Sequence, residues 1–114
     1  METGEIPYEN TVVLCGRVAR AAVERELPSG DTLMTVRGIV RRSKRARRKS
    51  RITVDAFECV AWTRKLQRSL ASLAPDDVVE VRGELRRRFR RVDGAPMSQV
   101  EVELLSCTRV ARAS

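Results

Sequence analysis

Between residues 63 and 73 the apolar period of the chain changes once, from about two residues to about three and a half. Leu66, Leu70 and Leu73 stand at i, i+4 and i+7, Thr63 can cap the start of a helix, and Pro75 stops its continuation. The chain is therefore expected to carry one short amphipathic helix inserted among strands. Before it, residues 11–18 are rich in β-branched side chains, with Gly16 where a strand would bulge or bend. Residues 27–31 hold the Pro and Gly of a turn and lead into a second strand, 32–41. Residues 51–62 read as a third. Its alternation puts Val54, Ala56, Glu58, Val60 and Trp62 on one face and Asp55, Phe57, Cys59 and Ala61 on the other. After the helix come residues 78–85, an arginine cluster, the hairpin dipeptide Asp93-Gly94, and a fifth strand over 97–106. In that last strand Val100, Val102 and Leu104 should be buried while Glu101 and Glu103 face water.

The order strand, strand, strand, helix, strand, strand predicts an all-β fold, the five-stranded Greek-key barrel known as the OB-fold, with its helix between strands three and four. With 114 residues the chain suits one such domain, over residues 10–106, between an N-terminal extension (1–9) and a short basic tail (107–114). No run approaches the ~20 apolar residues of a membrane-crossing helix, and Met1-Glu2-Thr3 does not open a signal peptide, so a cytoplasmic protein without membrane contact is expected. Histidine is absent, and Cys15, Cys59 and Cys107 show no CxxC spacing. Metal sites and cofactors are not expected, and an ordinary catalytic triad cannot form. Cys15, Cys59 and Phe57 are assigned to packing, with Cys107 the thiol expected at the surface.

Charge carries the first functional clue. Lys and Arg number 23 against 15 Asp and Glu, a net of +8. The excess is concentrated in two places. Residues 41–51 contain Arg41, Arg42, Lys44, Arg45, Arg47, Arg48, Lys49 and Arg51 without an acid, and Arg86, Arg87, Arg88, Arg90 and Arg91 form a second cluster. Outside them 10 cations face 15 acids. Two local basic segments fit phosphate contacts better than a general drift in composition. Both are expected in loops of the barrel, one joining strands two and three and the other in the final hairpin.

Four stretches, taken in order and spacing, resemble the signature segments of bacterial single-stranded DNA-binding proteins: residues 10–18 (NTVVLCGRV), Pro28-Ser29-Gly30, Cys59-Val60-Ala61-Trp62, and Val81-Arg82-Gly83-Glu84-Leu85. The likeness spans roughly residues 10 to 106. It implies a homodimeric or homotetrameric OB-fold that binds and protects single strands without sequence preference during replication, recombination or repair. It also implies a nucleoid-associated location in a bacterial cytoplasm and no catalysis. Departures are visible. Ala56 follows Asp55 where the family places a stacking aromatic, Arg90 beside Phe89 stands at another aromatic position, Glu58 replaces a frequent cation, and only Trp62 keeps its aromatic. Nor does Val110-Ala111-Arg112-Ala113-Ser114 resemble the family's acidic tip, so tail-mediated recruitment of repair enzymes is not expected.

The resulting expectation is a cationic trough beside one indole. Its DNA-binding residues would be Trp62, Phe89, Arg37, Arg41, Arg42, Lys44, Arg45, Arg47, Arg48, Lys49, Arg51, Arg64, Arg86, Arg88, Arg90 and Arg91. With four aromatics in the chain, affinity should lean on phosphate neutralisation. Trp62 shares its face with Glu58, which favours an open surface over a core position. Phe89 suits either base stacking or packing on a sister subunit. Two alternatives stay open: a primosomal-type replication accessory, and an RNA-binding OB module.

Overall fold

The computed structural model describes residues 6–114, apart from the side chain of Arg90. Its elements are β1 (Val12–Val18), β2 (Val23–Glu26), β3 (Thr32–Arg41), α1 (Lys44–Arg47), β4 (Val54–Ala61), α2 (Arg64–Ala71), β5 (Val78–Val92) and β6 (Ala95–Ala111). The strands run in the order β1-β5-β6-β4-β3-β2, and β1 also pairs with β3. Five strands thereby close into a ring. β4 and β6 are parallel, through Cys59↔Val102 and Val60↔Glu103, and every other pairing is antiparallel. This is the predicted all-β OB barrel, with α2 between its third and fourth barrel strands.

The helix forms where the period changes. The Thr63 hydroxyl accepts from the Leu66 amide at 3.2 Å, and Leu70 is fully buried on the inner face. Leu70 and Leu73 join Val18, Val36, Cys59, Ala61, Val79, Val81, Val102 and Leu104 in one core, with Phe57 and Leu66 packed against it. Such burial is worth about 25 cal/mol per Å² of apolar surface, so a single closed barrel with one helical plug concentrates the apolar area of the chain. At Gly16, β1 bends from β5 toward β3. A Cβ there would lie 2.2 Å from the Ile39 carbonyl oxygen, which explains a glycine at the crossing.

Several expectations need correction. A sixth strand, β2, lines the edge of β3, through pairs such as Val23↔Thr35 and Glu26↔Thr32. Its sequence, VERE, is exposed throughout and has no apolar alternation to reveal it. The third predicted strand starts at Val54, not at residue 51. The first basic run is not all loop: Ser43 caps α1 by accepting from the Ala46 amide. The second cluster lies on β5, not in the connecting turn, because the hairpin turns only at Asp93 and Gly94, both at positive φ. Finally β6 continues to Ala111, so the boundary expected at 106 falls inside a strand.

Two thiol assignments are reversed, one of them by β6. Register shifts between Arg82↔Ser106 and Gly83↔Leu104, leaving Leu105 as an extra, exposed residue. That bulge inverts the alternation and turns Cys107 toward the core, half-buried. Cys15, by contrast, lies on the outward side of β1 with Val13 and Arg17 and is exposed. Burial pushes the Cys59 thiol up to about 12.

Candidate nucleic-acid interface

Trp62 follows the last residue of β4 and precedes the cap of α2, so its backbone is fixed from both sides. Gln67 Nε2 reinforces it by donating to the carbonyls of Thr32 (2.8 Å), Ala61 (3.2 Å) and Trp62 (3.4 Å). The indole is 37% exposed. It separates two hollows, one bordered by Gly30, Asp31, Thr32, Arg64 and Gln67, the other by Val60, Arg86, Arg87, Arg88, Phe89, Glu101 and Glu103. Arg88 reaches over the ring, its guanidinium carbon 5.6 Å from the centroid.

Beyond Arg88 opens a cleft of about 220 Å³ between the β5–β6 hairpin and the β2–β3–β4 surface. Arg20, Arg25, Arg37 and Arg88 line it together with Glu58, Val60, Gln99 and Glu101. Four guanidinium groups thus converge on one hollow, and two carboxylates temper them. Arg88 donates to Glu101, which is only 6% exposed, and Arg37 stands 3.7 Å from Glu58. Glu101 is therefore not on a wet face: it lies in the cleft beside Arg88 of β5 and Glu58 and Val60 of β4. Glu58 is half-buried for the same reason, and its neighbour in parity, Val60, is 2% exposed. The Trp62 face is exposed at Val54, Ala56 and Trp62 and covered at Val60.

Much of the second cluster is already answered by acids or by backbone. Arg86 binds Glu103 at 2.7 Å and Glu84 at 3.6 Å, and the Glu103 hydrogen bond holds the Arg86 guanidinium above its ordinary value. Arg87 donates to the Ser98 hydroxyl at 2.9 Å and Arg91 to the Gly94 carbonyl at 3.0 Å. Phe89, 74% exposed, borders the Trp62 hollow. Arg90 sits in β5 opposite Met97, and its side chain lies outside the described residues.

The first run is placed differently. The β3–β4 ladder begins at Met34↔Ala61 beside Trp62 and ends at Arg41↔Val54, seven residue steps or roughly 23 Å away. None of Arg41, Arg42, Lys44, Arg45, Arg47, Arg48, Lys49 or Arg51 borders the three hollows around Trp62 and Arg88. The single continuous trough expected from sequence is thus two separate features. Arg42 is engaged by Asp55 through Nε (2.8 Å) and Nη2 (2.7 Å), which raises the guanidinium and lowers the carboxyl. The other seven make no ion pair among the described residues.

Sequence reading missed Arg20 and Arg25. Both lie outside the basic clusters, and β2, which carries Arg25 to the cleft, left no periodic signal.

A closed Greek-key barrel with an indole and four arginines gathered on one side defines an OB-fold of the nucleic-acid-binding kind. The chain belongs to the single-strand binding protein family, whose model matches residues 9–109. Among solved structures it is similar to a Plasmodium falciparum SSB in complex with ssDNA, at 20% identity and a TM-score of 0.73, covering 91% of this chain and 95% of that one. It is also similar to a small single-stranded DNA-binding protein from Streptomyces coelicolor, at 20% identity and a TM-score of 0.62, covering 87% and 92%. No curated protein matches it by sequence at a significant level.

Proposed function

We propose that this member of the single-strand binding protein family binds single-stranded DNA across the Trp62 face. Bases stack on the exposed indole, and the backbone runs past Arg64 on one side and the arginine-lined cleft on the other. The observation that carries the assignment is the junction of Trp62 with two hollows edged by guanidinium groups. Stacking tolerates any base, and phosphate contact is blind to sequence, so the binding is nonspecific. The seven cations of run 41–51 without an ion pair among the described residues extend the grip on the backbone. Phe89 offers a second stacking surface.

The role is to bind and protect single strands during replication, recombination or repair, without catalysis, in the cytoplasm. A homo-oligomer is supported by β1. This strand pairs with β5 from Val12 to Arg17 but meets β3 only at Arg17 and Val18, which leaves one edge of residues 12–16 without a strand partner among the described residues. Sedimentation equilibrium tests the assembly, which should give a multiple of 12.9 kDa.

Titration of Trp62 fluorescence with oligo-dT at two salt concentrations tests the binding. Single strands should quench the emission and duplex of equal length should not; in filter binding, which needs no tryptophan, Trp62→Ala should cost about 1 to 3 kcal/mol at either salt. Equal quenching by duplex, or wild-type affinity in Trp62→Ala, contradicts the proposal.

A further inference from the structure

We propose that Glu101 is a positioning residue that reserves Arg88 for the Trp62 ring and withholds it from phosphate. The inference rests on the reading of this face as the single-strand site. Glu101 is 6% exposed, and among the described residues its ion partner is Arg88. A buried carboxylate that lost its partner would stand desolvated and unpaired, so the contact persists against competition from a solvated phosphate. The same guanidinium lies over the indole. Arg88 is therefore held from two sides, by a carboxylate below and a ring beside it, with its charge already answered. Arg88 covers part of the indole, which stays 37% exposed and available to a base.

The arrangement separates two tasks that clustered arginines would otherwise share. Cations without acid partners among the described residues, such as Arg64 and those of run 41–51 other than Arg42, neutralise phosphate. Arg88 instead stiffens the stacking platform, as a planar guanidinium with few rotamers left to lose. Arg37 makes a looser counterpart, since its partner Glu58 is 3.7 Å away and its own side chain is 45% exposed.

Two variants and two readouts test this. In Glu101→Gln the charge that holds Arg88 is gone while the shape remains. Arg88 should then move onto phosphate, and the slope of log K against log salt for oligo-dT should steepen by about 0.7. In the free protein Trp62, the chain's one tryptophan, should become more accessible to acrylamide. The double change Arg88→Met with Glu101→Met removes both charges and strands neither, so it also serves if Glu101→Gln folds poorly. Its slope should equal that of the wild type, because the lost cation was not neutralising phosphate. A double variant whose slope is shallower by about 0.7 makes Arg88 an ordinary phosphate contact and overturns the proposal. So does a Glu101→Gln protein with unchanged slope and unchanged Trp62 accessibility. If wild-type protein fails to bind single strands, the functional reading falls by itself, and the acrylamide comparison still decides whether Glu101 holds Arg88 on the ring.

Discussion

The ring of Phe57 lies across the backbone of its register partner Gly38, so closely that a Cβ on the glycine would stand 2.3 Å from ring atom Cζ. The contact settles the role of an aromatic that the sequence places one position away from the family's stacking residue. Phe57 packs against the core, so it is unavailable to a base.

Gly38→Ala should therefore destabilise the barrel. The added methyl meets the ring and not a flexible tip, and the ring has core residues behind it. Overpacking of this kind costs about 1 to 3 kcal/mol. Urea denaturation followed by circular dichroism measures it, and an unchanged midpoint would show that the ring swings aside freely.

The barrel was legible because its main signals are local. The Thr63 cap, the leucine period behind it and the Asp93-Gly94 turn each state a backbone conformation in two to eleven residues. Trp62 was legible as a candidate through its place in the segment Cys59-Val60-Ala61-Trp62 and through the face it shares with Glu58. What escaped depends on pieces distant in sequence. β2 exists because β3 offers an edge, and one valine among VERE cannot announce that. Glu101 looks wet in the alternation of β6, which treats a strand as having one covered face, whereas Glu101 and Val102 are both buried, one in the arginine-lined cleft and one in the core. Cys107 turned inward because of a bulge at Leu105 that no residue pattern marks. The separation of the two basic segments follows the length of the β3–β4 ladder, and counting charges gives no distance.

That separation yields a measurable difference between the sites. Changing Arg45, Arg47, Arg48 and Lys49 together to Ala removes four cations that have no ion pair among the described residues and do not border the Trp62 hollows. For single strands each lost phosphate contact lowers the salt slope by about 0.7, so the total change should reach no more than about 3. Quenching of Trp62 at saturation should persist, since the indole and its neighbours are untouched. Filter binding across a salt series gives the slope. A slope equal to the wild type would remove the run from the binding path.

Cys15, and not Cys107 as the sequence suggested, should be the first thiol to react. Cys15 is exposed, Cys107 half-buried and Cys59 fully buried, with its thiol pushed up to about 12. Reaction requires thiolate and access together, and Cys59 has neither. At pH 8, iodoacetamide followed by mass spectrometry should find Cys15 modified first, Cys107 more slowly and Cys59 only in denaturant. Cys15→Ser should abolish the fast phase. Fast labelling of Cys59 would mean that β4 opens readily.

Asp77 ties the far end of the chain to the barrel and should govern acid stability. The residue is 2% exposed. Its carboxylate accepts from the Ala74 amide at 2.9 Å, the Ala113 amide at 2.8 Å and Arg109 Nε at 3.1 Å. The Ala74 and Ala113 hydrogen bonds, then Arg109, hold the carboxyl below its ordinary range. Because the folded value lies below the unfolded one of about 3.9, the unfolded chain binds more protons in acid. The group's contribution is thus complete above that unfolded value and drains away as pH falls through the folded one. Asp77→Asn lacks the charge, so it should melt lower at neutral pH and lose less on acidification, the two melting curves converging below pH of about 4. Thermal melts from neutral pH into acid measure this. A constant gap between the two proteins across that range would show that the carboxylate's charge is not what the amides and Arg109 hold.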